Sequence, residues 1–233
     1  MAIIGVSGYS NSGKDTIGAI IQYLNCSNVG GNSIEEVCKN YEEHEEWLDE
    51  YSGWEIRKFA GKLKDIASHL TGIDIEDFED QEFKKTNLGR EWWTVDYVKR
   101  YKEENPTEDS IPVEITEVMK PMTVRDFLQK LGTDGLRNKL HPNVWVNALM
   151  VDYIEDESNW IITDTRFENE AIAIKNKGGI IIRVDRPGII PINDHPSETG
   201  LDHWNFDYKI QNLDDIFALK QTVQQILKHA QLL

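Results

Sequence analysis

Gly8-Tyr9-Ser10-Asn11-Ser12-Gly13-Lys14-Asp15-Thr16 follows the apolar run Ala2-Ile3-Ile4-Gly5-Val6 and leads into Ile17-Gly18-Ala19-Ile20-Ile21-Gln22-Tyr23-Leu24. The first run is short and apolar, and the last repeats its apolar residues at helical spacing, so the order reads strand, glycine-bounded loop, helix. The loop has the form G-x-x-x-x-G-K, with Asp15 and Thr16 where Ser or Thr usually follows the lysine. Glycines let backbone N–H groups converge on an anion, and the helix N-terminus adds partial positive charge. Lys14 supplies a mobile full charge, and the combination suits a triphosphate. An aspartate beside phosphates is unfavourable unless a divalent cation lies between. Asp15 is therefore expected to orient Mg2+ directly or through water, with Thr16 donating its hydroxyl to a phosphate nearer the nucleoside. Ser12, Gly13, Lys14, Asp15 and Thr16 are the expected phosphate-end contacts. The competing reading is a Gly/Ser-rich turn with an acid in the first helical turn, where acids are favoured in any case.

The chain has 233 residues, enough for one sizeable core, and one α/β domain with an insertion is expected. It carries 41 acidic against 25 basic residues, a net charge of -16. Such a chain repels nucleic acid and anionic membrane overall, so a small anionic substrate requires a local cationic pocket. The acid concentrates in Glu35 to Glu50 and Asp74 to Glu82, which read as solvated faces. Cys26 and Cys38 are the only cysteines, which fits a reducing compartment better than a disulfide framework. With no leader pattern and no membrane-spanning apolar run, a soluble cytoplasmic protein is expected.

After the first helix, Asn25 to Ser33 reads as a loop with Gly30-Gly31, then Glu35 to Tyr51 as one charged helix capped by Ser33. Trp54 to Phe59 suggests a short strand, and Gly61 to Leu70 an amphipathic helix. Arg57 and Lys58, at the end of that strand, are candidates for phosphate contact, whereas Lys62 and Lys64 suit solvent equally well. Thr71 to Pro121 is an insertion with Trp92, Trp93, Tyr97, Tyr101, Pro106 and Pro112 among many charges. Thr123 to Leu131 has a Thr cap, Asp126 three residues on, and an apolar stripe through Val124, Phe127, Leu128 and Leu131, with Gly132 placed to end the helix. Gln129, Thr133 and Arg137 then flank a break between helices, before another helix through Val144 to Met150.

Trp160-Ile161-Ile162-Thr163-Asp164 reads as a buried strand ending in an acid, the position where phosphate-loop enzymes handle Mg2+ or the phosphoryl acceptor. Arg166 and Glu170 are four apart, so they form either a surface ion pair or a pair turned toward ligand. Ile180 to Val184 is a further strand. The loop after it contains Arg186 and His195-Pro196-Ser197-Glu198, where the histidine reads as structural. Tyr208 to Ile210, an Asn212 turn and a helix from Leu213 or Asp214 to about Leu232 close the chain. No internal repeat is present.

Several segments together resemble the bacteriophage-type deoxynucleoside monophosphate kinases. They are Gly8-x-x-x-Ser12-Gly13-Lys14-Asp15-Thr16, Arg57-Lys58-Phe59-Ala60-Gly61-Lys62-Leu63-Lys64, Leu128-Gln129-x-Leu131-Gly132-Thr133-Asp134, Trp145-Val146-Asn147-Ala148-Leu149 and Asp164-Thr165-Arg166-Phe167-x-Asn169-Glu170-Ala171. The resemblance runs over most of the chain; residues 35–50 and 75–118 lie outside it. It implies an α/β fold of the P-loop, nucleoside monophosphate kinase type. A central parallel sheet has helices on both faces, in a single domain 1–233 whose core is about 1–70 and 120–233, with a helical acceptor-binding or lid insertion at about 71–120. It also implies transfer of the ATP γ-phosphoryl group to a deoxynucleoside monophosphate, with Mg2+, in the host cytoplasm of a phage-encoded enzyme, and a homodimer.

Phosphoryl transfer needs positioning and charge neutralisation more than covalent help. On this reading Lys14 stabilises the transferring group, while Arg166, with Arg57 and Arg137, holds the acceptor phosphate. Asp164 and Glu170 hold the metal, an arginine, or the acceptor's sugar or base. Trp145, Phe59 and Gln129 contact the base, with core packing as the alternative for Trp145 and Phe59. Thr133 and Lys58 complete the acceptor set, and Arg183 and Arg186 are lid candidates. Two rivals stand beside it: another small-molecule P-loop kinase, resembling dephospho-coenzyme A kinase or phosphomevalonate kinase, and a nucleotide-binding module with no acceptor.

Overall fold

The computed structural model describes residues 2–27, 31–102, 107, 110–155, 157–191, 195–213 and 215–233. Gly30, Pro106 and Asp214, used above, lie outside the described residues. In chain order the elements are β1 (Ile3–Ser7), α1 (Lys14–Asn25), α2 (Ile34–Lys39), α3 (Tyr41–Ser52), β2 (Glu55–Arg57), α4 (Gly61–Thr71), β3 (Thr94–Arg100), β4 (Glu114–Lys120), α5 (Val124–Gln129), α6 (Val144–Met150), β5 (Trp160–Ile162), α7 (Glu168–Asn176), β6 (Ile180–Asp185), α8 (Pro196–Thr199), β7 (Tyr208–Gln211) and α9 (Ile216–His229). Three short 3-10 turns lie between α4 and β3, and a π-helical stretch, Lys130–Leu140, follows α5. The chain divides into two compact units, one of residues 1–62 and 143–233 and one of residues 63–142.

The first unit is built on a five-stranded sheet in the order β2-β5-β1-β6-β7, with every neighbouring pair parallel. Strands covered on both faces must be apolar on both, and β1 and β5 are buried at every residue. Ile4, Val6, Ile161, Ile182, Val184 and Ile210 turn one way, into a cluster with Ile17, Ile20 and Ile21 of α1 and Leu219, Val223 and Leu227 of α9. The alternate residues turn the other way: a Cβ on Gly5 would lie 2.7 Å from Ile174 of α7 and 3.6 Å from Ile181. Helices therefore cover both faces, as the resemblance implies.

The single helix expected over Glu35 to Tyr51 is two, because Asn40 leaves helical backbone (φ -118, ψ 44) between α2 and α3. Ser33 caps the first of them as expected, accepting from the Glu36 N–H. Gln22, fully buried on α1, explains why α3 folds back over it: its amide donates to Asp49 Oδ1 at 2.6 Å and to the Trp54 carbonyl at 2.8 Å, and its oxygen accepts from Tyr41 at 2.9 Å.

The second unit has its own small core of Ala67, Phe78, Leu88, Met122, Val124 and Phe127, with Trp92 edge-on to Phe127 at 4.9 Å between ring centroids. Among its described residues the insertion holds no α-helix. Between α4 and α5 it is 3-10 turns and the antiparallel hairpin of β3 and β4. Alternation puts Val95, Tyr97, Ile115 and Met119 on one face of that hairpin, and all four are more than half exposed. The capping box of α5 is as read: Thr123 Oγ1 accepts from Asp126 N–H, and Asp126 accepts from Thr123 N–H. Gly132 does not end the helix. The backbone instead widens into the π-helical stretch, closed by His141 N–H donating to the Leu136 carbonyl at 3.1 Å. Among the described residues no helix is long and apolar enough to cross a membrane.

Candidate phosphoryl-transfer site

A parallel sheet delivers the residue after every strand to the same edge. Here that edge receives the Gly8 to Gly13 loop after β1, Lys58 after β2, Thr163 and Asp164 after β5, Arg186 after β6 and Asn212 after β7. The strand order reverses at β1, with β5 on one side and β6 on the other, and such a reversal opens a crevice at the carboxyl ends of the strands.

The loop itself is tightly constrained. Gly8 (φ +157) has no room for a side chain, since a Cβ would sit 2.4 Å from the Val184 carbonyl oxygen. Gly13 is left-handed (φ +100), and a Cβ there would meet Asn212 Nδ2 at 2.4 Å. That same Nδ2 donates to the Ser12 carbonyl oxygen at 2.9 Å, so β7 buttresses the loop from behind. Helix α1 starts at Lys14 with no side-chain cap, which leaves its first N–H groups to a ligand. The Ser12 hydroxyl is buried without a hydrogen-bond partner. Lys14 folds back over the loop and donates to the Tyr9 carbonyl at 2.7 Å.

Charge converges on Lys14. Burial, then the neighbouring Arg166, pushes its ammonium down to about 8, while Asp15, Glu198 and Asp164 pull the other way. Asp15 accepts from the Thr163 hydroxyl at 2.8 Å and pairs with Lys58 at 3.3 Å. Crowding by protein pushes the Asp15 carboxyl up, but Lys58, Thr163 and Lys14 together outweigh it and hold it below its ordinary value. Its side chain keeps 72% of its surface open to solvent. Among the described residues no three His, Cys, Asp or Glu side chains form a metal-holding group. A cation at Asp15 would thus depend on phosphate oxygens and water for the rest of its shell, which is how Mg2+ is commonly held.

The structure brings Ser12, Gly13, Lys14, Asp15, Lys58, Asp164 and Arg166 to this edge, and Arg186 reaches the loop by donating to the Asn11 carbonyl at 3.2 Å. Thr16 lies in the first turn of α1. Asp164 is occupied by its own main chain, its two oxygens accepting from the N–H groups of Phe59 and Ala60, both at 2.8 Å.

Other expected site residues are engaged within the protein. Arg57 pairs with Glu55 and stacks over the Trp160 ring at 5.5 Å. Trp160 is in register with Glu55, two residues back along the sheet, so the guanidinium is drawn away from the loop edge. Phe59 and Trp145, the rings expected at the base, are buried at 3% and 5% exposure. Glu170 caps α7: it is 2% exposed and accepts from the Arg166 and Phe167 N–H groups at 2.8 and 3.1 Å. Arg183, the other lid candidate, has protein partners of its own. It lies within β6, donates to Asp185 and Asp202, and is stacked over Tyr9 at 4.5 Å and Phe206 at 5.6 Å. Gln129, Thr133 and Arg137 belong to the second unit; Arg137 is buried there, donating to the Pro142 carbonyl at 3.4 Å.

Sequence reasoning missed Thr163, Glu198 and Asn212. Their partners are far away in sequence, and only the tertiary structure brings Thr163 to Asp15, Glu198 to Ser10 and Asn212 to Ser12. His195, read as structural, caps α8: its Nδ1 accepts from Ser197 N–H.

A family model described as Deoxynucleotide monophosphate kinase matches residues 2–223. A relative in Acanthamoeba polyphaga mimivirus is 33% identical over 115 residues, 44% of this chain and 56% of its own. The Deoxynucleotide monophosphate kinase of Enterobacteria phage T4 is 30% identical over 118 residues, 49% of each chain. That of Escherichia phage RB69 is 27% identical over 118 residues, 49% of this chain and 48% of its own. The chain spans about half the length of these relatives.

Proposed function

The chain belongs to the deoxynucleotide monophosphate kinase family, and from that premise we propose that it transfers the γ-phosphoryl group of ATP to the 5′-phosphate of a deoxynucleoside monophosphate. The observation that supports this most is that Arg166 stands against the loop that carries Lys14, held by Glu198, which takes Arg166 Nη1 on one oxygen and faces the Ser10 N–H of the loop with the other. One cation serves a nucleotide bound in the loop. A second, delivered from another strand, is what an incoming phosphate dianion requires, because two polyphosphate anions repel at reacting distance.

The acceptor phosphate oxygen is already an anion at neutral pH and forms the new P–O bond without a general base. The bond from the γ-phosphorus to the bridging oxygen breaks, and ADP carries away its electron pair. Lys14 neutralises charge on the transferring group, and the N–H groups of the loop and the first turn of α1 orient it. Arg166 holds the acceptor. Asp15 is the residue to hold Mg2+, assisted by Asp164, and the ion when bound supplies further neutralisation of the phosphates. Lys58 keeps Asp15 ionised and in place.

A coupled assay of ADP release with dAMP, dCMP, dGMP and dTMP tests the proposal: turnover with at least one, at rates far above ATP hydrolysis alone, is expected. Turnover on a non-nucleotide acceptor only, or ATP binding with no monophosphate bound, would overturn it in favour of another P-loop kinase or of a binding module. The homodimer implied by the resemblance belongs to the same proposal, and a single monomer boundary in sedimentation velocity would remove it.

A further inference from the structure

We infer that Glu198 is a positioning residue whose buried carboxylate fixes the Arg166 guanidinium at the outer end of the phosphate loop. The inference rests on the acceptor role proposed for Arg166 and says how that role is prepared. The Glu198 side chain is 5% exposed, and Oε1 accepts from Arg166 Nη1 at 2.5 Å. The same Nη1 donates to the Ser197 carbonyl at 3.0 Å, so the arginine is gripped from two successive residues of α8. The other carboxylate oxygen, Oε2, faces the Ser10 N–H at 3.5 Å, the long limit of hydrogen bonding and still a favourable charge–dipole contact. One carboxylate therefore spans the arginine and the loop.

The backbone leaves Glu198 little freedom to do otherwise. Its N–H donates to the His195 carbonyl at 2.8 Å, and Gly200 N–H donates to Pro196 at 2.9 Å. A Cβ on Gly200 would lie 2.9 Å from the Arg166 carbonyl oxygen, so α8 rests directly on the main chain of Arg166. The physical need is plain. Arg166 and Lys14 repel each other, and a long cationic side chain without a partner would swing into solvent. A carboxylate that cannot leave holds the guanidinium beside Lys14 before substrate arrives. The acceptor then binds an ordered arginine and loses less freedom in doing so.

The test uses the full chain, with deoxynucleoside monophosphate binding measured by calorimetry and turnover by the coupled assay, for Glu198→Ala, Glu198→Gln, Arg166→Ala and the Arg166→Ala/Glu198→Ala double variant. Glu198→Ala should raise the monophosphate KM and Kd by about tenfold, the scale of one charge-assisted hydrogen bond, and leave ATP binding within about twofold. Glu198→Gln, which keeps an oxygen acceptor but not the charge, should fall between wild type and alanine. In the Arg166→Ala background the second substitution should add nothing, because its effect passes through the arginine. A role in folding alone predicts instead additive losses and equal weakening of ATP and monophosphate, and either result overturns the inference. Should the alanine protein fail to fold, the near-isosteric glutamine variant carries the same comparison. A wild type that binds no monophosphate overturns the acceptor reading and this inference with it; a wild type that binds while both Glu198 variants match it overturns this inference alone.

Discussion

Asn212 Nδ2 donates to the carbonyl oxygen of Ser12 at 2.9 Å, joining residues 200 positions apart and fixing the loop from the side opposite its ligand face. Asn212 and Ser12 are 6% and 1% exposed, so the hydrogen bond between them is buried. Asn212→Ala should cost about 1–2 kcal/mol of stability, the penalty for a buried acceptor left unsatisfied. The ATP KM should rise with it; chemical denaturation and steady-state kinetics check both, and an unchanged KM would show that the loop holds its shape without this contact.

Gly13→Ala tests the same junction from the other side. The substituted residue would need a left-handed backbone and would drive its methyl into Asn212 Nδ2. Loss of measurable ATP binding is expected, with a fold that circular dichroism still recognises.

Lys14 sets the pH dependence. Its folded pKa, about 8, lies below the ordinary value for lysine, so between the two the unfolded chain binds more protons and stability rises with pH through that window. Activity runs the opposite way, because only the ammonium form neutralises phosphate. The kcat/KM for ATP should fall roughly tenfold per pH unit above the free-protein pKa. Lys14→Arg should remove that alkaline limb whatever its residual rate, and Lys14→Ala should abolish turnover with the melting temperature retained. An alkaline limb persisting in Lys14→Arg would assign it to another group.

Asp15→Asn removes the open carboxylate and the partner of Lys58 while keeping an oxygen for the Thr163 hydroxyl. The Mg2+ concentration giving half-maximal rate should increase by about tenfold or more, as expected when one of few protein ligands is lost. A Mg2+ titration at saturating ATP reads this directly, and an unaltered midpoint would place the ion elsewhere.

Arg183→Ala separates a structural cation from a lid. It leaves Asp185 and Asp202 without their shared partner and removes the stack on Tyr9, so a loss of about 1–3 kcal/mol is expected, a fall in melting temperature of several degrees. Turnover at low temperature should stay within about threefold of wild type, because the residue touches no substrate in the proposed mechanism. A collapse of kcat with stability intact would return Arg183 to the lid.

The amino-terminal motif was legible because loop, strand and helix are contiguous: spacing alone places Lys14, Asp15 and Thr16 at a helix start. Asp164 was legible as the acid ending an apolar run, and Thr123 and Ser33 as caps, because capping is settled within four residues. Side-chain partners are of another kind. Arg57 was read from a strand end, Glu170 from its spacing to Arg166 and Arg183 as a lid candidate, and each has a neighbour close in space or behind in register: Trp160 and Glu55, two backbone N–H groups, and the Tyr9 and Phe206 rings.

By itself the sequence determined the phosphate loop, the alternation of strands and helices, and the excess of negative charge that makes any anion site a local affair, since these follow from order and composition along the chain. Only the tertiary structure decided which residues stand around the loop. Five parallel strands bring the residues that follow β1, β2, β5, β6 and β7 to one edge, and Lys58, Thr163 and Asn212 meet there from distant parts of the sequence. A side chain's partner is set by strand order and register, and neither is written in the spacing of residues along one strand.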